Sequence, residues 1–210
     1  YMNTKPIFSP DGEYIVFFSD RKGLDGIYLM NALSGEIEEK LLMGSMSTRF
    51  ESIRSMKSRL TFEPSGSRIA FVAKSHGEDR LFIMEVPGGD VEQEISLPLD
   101  FFHSPSWSPD GRKIALVGTI AGQTDLYLYD VFEGTLRQLT DDSEDEDGPS
   151  WFPSGSRIAF SRFPVSILQP DFAPDSTGVE KINNVDFKSM ENIDHVDADI
   201  WAIDTRNGEM

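Results

Sequence analysis

The sequence predicts an all-β fold assembled from four copies of one short unit, and three recurring features predict it. A turn of the form x-Pro-Asp/Ser-Gly occurs four times, and a β-prone apolar run follows each turn. A further strand-like run then ends on an acidic or amide residue with a Gly four positions later. Self-similarity at a period near 45 residues outranks every other feature of a chain, because it makes the fold a stack of one supersecondary unit.

The turns are Ser9-Pro10-Asp11-Gly12, Glu63-Pro64-Ser65-Gly66, Ser108-Pro109-Asp110-Gly111 and Phe152-Pro153-Ser154-Gly155, preceded by Phe8, Phe62, Trp107 and Trp151. Their glycines lie 54, 45 and 44 positions apart. Pro in second place pre-sets φ for a type I turn and Gly accepts the exit geometry, so each reverses the chain. The runs after them are Tyr14 to Phe18, Arg68 to Val72, Lys113 to Val117 and Arg157 to Ser161. Their near-continuous apolar character suits strands of a sheet packed on both faces.

The next strand places an aromatic residue at one register: Tyr28, Phe82, Tyr127 and Trp201. It closes on Asn31, Glu85, Asp130 or Asp204, and Gly35, Gly89, Gly134 or Gly208 then permits a hairpin turn. A more polar fourth strand completes three units, as in Thr135-Leu136-Arg137-Gln138, and its polarity marks the outer edge. Four antiparallel strands per unit with short joins is the arrangement of a β-propeller blade, each sheet packing face to face on its neighbours. A sandwich of short strands would explain the number of strands but not the recurrence of the same turn, aromatic residue and Gly.

The third unit, with Ser-Pro-Asp-Gly, Lys-Ile-Ala, Asp-Leu-Tyr-Leu-Tyr-Asp and Arg-Gln-Leu-Thr, resembles the repeat of TolB-like (PD40) β-propellers. The resemblance covers residues 5 to 163 and 199 to 210. It implies four-stranded antiparallel blades and a six-bladed parent, of which about four blades stand here. It also implies a periplasmic or other cell-envelope location, and a non-catalytic role. The chain reads as one partial propeller over 1–210, with units near 5–44, 58–98, 104–143 and 148–210. The fourth unit carries an insertion at 164–198 and stops before its outer strand. A ring of this kind closes with about four to eight blades. The expectation is therefore a fragment, with self-association through open blade edges as the alternative.

Composition narrows the partners. Against 19 Lys and Arg stand 36 Asp and Glu, a formal charge of −17 that repels a phosphate backbone unless a local basic patch overcomes it, so nucleic acid is not an expected partner. No apolar run reaches the ~20 residues of a membrane span, and the first residues lack the pattern of a signal peptide. With no Cys, disulfides and thiolate metal sites are excluded.

Function is expected where the repeat is broken. In a four-stranded blade, the loops joining strands two to three and the joins between blades emerge on one face. That face should present a protein-binding surface comprising Arg49 and Arg54, Phe101 and Phe102, and the acidic Asp141, Asp142, Glu144, Asp145 and Asp147. Phe101 and Phe102 have a second reading as core wedges between blades. The run Asp141 to Gly148 invites calcium, but an EF-hand spacing would need Asp where Ser143 stands and Glu where Ser154 stands. A solvated acidic loop is the favoured reading, and attraction of a basic partner is the functional alternative without metal.

No catalytic machinery is legible. A Gly-x-Ser-x-Gly turn is missing, and His76, His103 and His195 fall on loops of different units without metal-ligand spacing. The expectation is a non-enzymatic interaction scaffold without metal or cofactor. The alternative is the substrate-filtering propeller of a larger prolyl-oligopeptidase- or tricorn-like peptidase. A third class, a small-ligand or cation site at the central channel, rests on the acidic run alone.

Overall fold

The computed structural model describes residues 1–23, 25–43, 50–52, 59–163 and 199–206. Four antiparallel sheets follow one another along the chain as the blades of a β-propeller. Blade 1 comprises β1 (Asn3–Phe8), β2 (Tyr14–Ser19), β3 (Gly26–Asn31) and β4 (Ile37–Met43). Blade 2 comprises β5 (Thr61–Phe62), β6 (Arg68–Ser75), β7 (Glu78–Glu85) and β8 (Val91–Ile95). Blade 3 comprises β9 (Phe101–Trp107), β10 (Lys113–Ile120), β11 (Gln123–Asp130) and β12 (Thr135–Gln138). Blade 4 comprises β13 (Asp145–Trp151), β14 (Arg157–Phe163) and β15 (Asp199–Asp204). Each sheet is a simple meander with neighbouring strands hydrogen-bonded in chain order.

The repeated turn does the same work four times. The amide of Gly12, Gly66, Gly111 or Gly155 donates to the carbonyl three residues earlier, at 2.9 Å in each case, with φ between +71° and +80° at the glycine. In the Ser-Pro-Asp-Gly version the Ser9 hydroxyl donates to Asp11 at 2.5 Å and accepts from the Tyr14 amide at 2.9 Å. Glu-Pro-Ser-Gly swaps the two groups, with the Ser65 hydroxyl donating to Glu63 at 2.6 Å. Either order stabilises the turn through a side-chain hydrogen bond.

These turns also stack from blade to blade. A Cβ built on Gly66 would lie 3.4 Å from Pro10 Cδ, one on Gly111 3.7 Å from Pro64 Cδ, and one on Gly155 3.9 Å from Pro109 Cδ. The Pro and Gly of the motif therefore serve two purposes, reversing the chain and fitting each turn against its predecessor. The hairpins between third and fourth strands follow the expected chemistry. Asn31 Oδ1 accepts from the amides of Leu33 and Ser34, and Asp130 Oδ1 from those of Phe132 and Glu133, each near 3.0 Å.

Three apolar cores lie between successive blades. Val16, Phe18, Ile27 and Leu29 meet Ile69, Phe71, Phe82 and Met84 between blades 1 and 2. The alternate residues Ala70, Val72, Leu81 and Ile83 meet Phe102, Ile114, Leu116 and Tyr127 between blades 2 and 3. Ala115, Val117, Leu126 and Leu128 meet Ile158, Phe160 and Ile203 between blades 3 and 4. Period-2 alternation thus sends successive residues of one strand into different seams, which is why the strands read as continuous apolar runs. Each large side chain so buried contributes about 1.5–3 kcal/mol.

The aromatic residue before each turn joins its blade to the preceding one. Trp151 Nε1 donates to the Ser106 carbonyl at 2.9 Å, and Trp107 packs into the seam between blades 2 and 3. Phe8, in the first blade, meets no such neighbour among the described residues and is 65% exposed.

Candidate functional site

The register fixes which segments share an end of the blades. In blade 1, Asn3 pairs with Ser19, Ser19 with Gly26 and Gly26 with Met43, so the strand two-to-three loop and the join out of the blade lie together. In blade 3 the same end carries Phe101 opposite Thr119 and the β10–β11 turn. Gln123 Nε2 from that turn donates to Asp141 Oδ1 at 3.3 Å and to the Asp142 carbonyl at 2.7 Å. Asp145 stands opposite Phe163 in blade 4, also at this end.

The expected site residues separate on inspection. Arg49 and Arg54 lie outside the described residues, as does the insertion at 164–198. Phe101 and Phe102 are not one patch: they are successive residues of β9, so alternation points them to opposite faces. Phe101 is 38% exposed, whereas Phe102 is 2% exposed and packs in the core between blades 2 and 3.

The acidic run is likewise not a solvated loop throughout. Asp141 and Asp142 form the join, but β13 begins at Asp145 and pairs with β14. Alternation along Asp145-Glu146-Asp147 leaves the outer two half-buried and sends Glu146 into the seam between blades 3 and 4, 2% exposed.

Asp147 stands where the inner strands of the four blades converge. Lys5, Ser104 and Gly148 each precede a proline, sit at φ of +50°, +52° and +65°, and mark a register shift in their strand. Such bulges re-aim the side chain at the shift. Asp147 Oδ1 accepts from the Ser104 hydroxyl at 3.2 Å and lies 3.8 Å from His103 Nδ1. A Cβ on Gly148 would approach Arg59 Nη2 to 3.2 Å, so the guanidinium from blade 2 fits against blade 4 because that position is glycine. Burial, reinforced by the Arg59 charge, holds the Lys5 ammonium below its usual value, and Asp147 opposes both.

The second cluster surrounds Arg162 on β14, itself 7% exposed. Its guanidinium pairs with Asp142, with Glu144 Oε2 at 2.9 Å and with Glu146 Oε1 at 3.4 Å, and lies 5.0 Å from the centre of the Trp201 ring. Neither oxygen of Glu146 accepts a hydrogen bond of ordinary geometry, and the nearby Thr140 hydroxyl, which donates to Asp125, only weakly favours its ionised form. Burial pushes the Glu146 carboxyl up to about 8, the charges of Asp142 and Asp125 add to the rise, and Arg162 opposes it. Asp125, also buried, is raised by desolvation, although Gln138 Nε2 at 3.0 Å and Thr140 Oγ1 at 3.3 Å donate to it.

Sequence reasoning missed Arg162, yet a signal was present. Aligned on the repeated turn, Arg162 occupies the register of Ser19, Ala73 and Gly118, where the other blades carry small residues. Its cross-strand partner Glu146 occupies the register of Phe102, which pairs with Gly118. A Phe over a Gly in blade 3 is thus replaced by a Glu–Arg pair in blade 4.

Among the described residues, no group of three or more His, Asp or Glu side chains is disposed to hold a metal ion. Nor, among them, is any helix long and apolar enough to cross a membrane.

Comparison with known proteins bears on these blades. The family model of the TolB β-propeller domain, PD40, matches residues 61–163, which span blades 2 and 3 and the first two strands of blade 4. Over that stretch, 103 of 210 residues, the chain carries blades of the TolB-like PD40 type. A Tol-Pal system protein TolB from Anaeromyxobacter dehalogenans is 31% identical over 103 residues, covering 48% of this chain and 23% of that protein. An uncharacterised protein of Agrobacterium fabrum is 25% identical over 181 residues, covering 85% of this chain and 57% of that protein. The crystal structure of TolB from Acinetobacter baumannii superposes on 76% of this chain and 40% of its own, with a TM-score of 0.61 and 23% identity. Each of these proteins is longer than the PD40 blades described here, and the chain spans less than two thirds of any of them.

Proposed function

We propose that this chain is a non-catalytic PD40 propeller segment that acts in the bacterial cell envelope by presenting its loop-rich end to a protein partner. The observation that carries the reading is the convergence at that end of half-exposed Phe101 on β9 with Asp141, Asp142 and Glu144 of the join, which are tied to the blades through Gln123 and Arg162. An aromatic anchor beside an acidic rim suits a partner with a basic, partly apolar surface. The envelope assignment is supported by the curated relatives named as Tol-Pal system TolB proteins. By that analogy a protein of the Tol-Pal type is the partner class, and the mechanism is rigid display of loops rather than chemistry.

Calorimetric titration of the 210-residue chain with a purified Pal component tests this directly. Binding is expected, with an affinity that falls as salt rises, because salt screens the attraction between the acidic rim and a basic surface. The double variant Phe101→Ala/Asp141→Asn should weaken it at least about tenfold while leaving the fold intact. A dissociation constant weaker than about 1 mM for the unmodified chain, or equal affinity for the variant, would overturn the proposal.

A further inference from the structure

We propose that Glu146 is a proton-binding site built into the seam between blades 3 and 4, which keeps Arg162 clamped to the join between the two blades when protonated and loosens that clamp when ionised. The inference is independent of which partner the loop-rich end takes.

The geometry carries the argument. Glu146 occupies a slot that blade 3 fills with Phe102 over Gly118, a fully apolar solution to the same packing problem. In blade 4 the slot holds a carboxyl whose two oxygens are buried without a hydrogen bond of ordinary geometry, close to Thr140 and 3.4 Å from one guanidinium nitrogen. That guanidinium is already shared. Asp142 and Glu144, both in the join, reach it as closely as or more closely than Glu146 does, and the face of Trp201 on β15 covers it.

The remaining ionisable groups packed around the site are Asp125 and Tyr127 on β11, Asp141 in the join, and Asp145 and Asp147 on either side of Glu146, with His103 of β9, Lys5 of β1 and Arg59 beyond Asp147. Acids outnumber the single facing cation. A neutral Glu146 leaves Arg162 to Asp142 and Glu144, whereas an ionised one adds a fourth buried or half-buried carboxylate, after Asp125, Asp142 and Glu144, to a cluster with one guanidinium. Burying an unpaired charge costs several kilocalories per mole, so the seam selects the proton.

The consequence has a definite sign. In the unfolded chain Glu146 titrates at its ordinary value of 4.5, and in the folded chain at about 8. Between those values the folded state holds a proton that the unfolded state has lost, so raising the pH favours unfolding. The stabilisation is fully present below the ordinary value, falls as pH rises, and is gone above the folded value. From pH 6 to pH 8 this one group should raise the unfolding equilibrium constant about fifty-fold.

The test uses the 210-residue chain with 13C-labelled glutamate carboxyls, and Glu146 assigned through bonds from its backbone. Its resonance should titrate near pH 8, apart from the other glutamates, and the Arg162 Nε–H should lose protection from exchange with the same midpoint. Urea unfolding at pH 6 and pH 8 should show the rise in the unmodified chain and its loss in Glu146→Gln. Titration of Glu146 near 4.5 would overturn the proposal. So would Arg162 protection that does not change through the midpoint, or a pH dependence of unfolding that the Gln variant retains. If Glu146→Gln does not fold, the two resonances of the unmodified chain decide alone.

Discussion

Replacing Phe102 by Ala should destabilise the chain by about 4 kcal/mol, whereas the same change at the adjacent Phe101 should cost less than about 1 kcal/mol. Phe102 is 2% exposed and packs in the seam with Leu97, Trp107, Leu116 and Tyr127. Returning its ring to water forfeits about 1.5–3 kcal/mol. The cavity adds to this, and its cross-strand neighbour is Gly118, which has no side chain to move into the space. Gly118 is itself required, because a Cβ there would lie 2.7 Å from Leu99 Cδ1 and 2.9 Å from Tyr127 Cδ2. Collapse is therefore limited, and the cost belongs in the upper part of the Phe→Ala range. Phe101, by contrast, already gives 38% of its surface to solvent. With a urea slope of about 2 kcal/mol/M, Phe102→Ala should lower the unfolding midpoint by about 2 M, and Phe101→Ala by under about 0.5 M. Equal shifts for the two variants, or a larger one for Phe101, would refute the assignment of the two rings to opposite faces.

The turn and its ion pair offer two further tests. Gly111→Ala should lower stability by about 1–2 kcal/mol in thermal unfolding, since φ there is +71° and the new Cβ would press to 3.4 Å from Glu63 Oε1. Hydrogen bonds from Arg68, at 2.5 and 2.9 Å, hold the Glu63 carboxyl below the usual range against the opposing effect of burial, with help from the Ser65 hydroxyl. Its stabilisation is thus present above the ordinary carboxylate value and lost as pH falls through the lowered one. Glu63→Gln should cost about 1–2 kcal/mol at neutral pH, and the difference from the unmodified chain should shrink in urea titrations near about pH 3.

The blades were legible because several levels of the code agree at each position. Pro10 and Gly12 satisfy the turn and, with Gly66, the packing of one turn on the next. Asn31 and Asp130 close a strand and also accept the hairpin amides. Ile69 and Ala70 are both apolar because they enter different seams. Such agreement across levels makes a sequence readable. The inner strands were harder to place, since Lys5-Pro6, Ser104-Pro105 and Gly148-Pro149 interrupt the ladder and read locally as loop.

The acidic run misleads for a different physical reason. Charge runs are usually solvated, and composition cannot distinguish a loop from a strand that buries every second residue. Asp145 and Asp147 keep partial access to water while Glu146 between them has none, so one residue of the run differs in kind from its neighbours. A repeat protein supplies its own control for such a position. The other blades carry a small residue at the register of Arg162, Ser19, Ala73 or Gly118, with Asn3 hydrogen-bonded to Ser19 in blade 1 and Phe102 over Gly118 in blade 3. A bulky cation in place of a small residue, opposite a carboxyl in place of Phe102, departs from the packing solution at both members of one cross-strand pair. Replacing a buried ion pair by apolar residues of similar volume is often neutral or stabilising. The pair is therefore not needed to fill the seam, and it brings there a property the Phe–Gly pair of blade 3 lacks, the capacity to take up and release a proton.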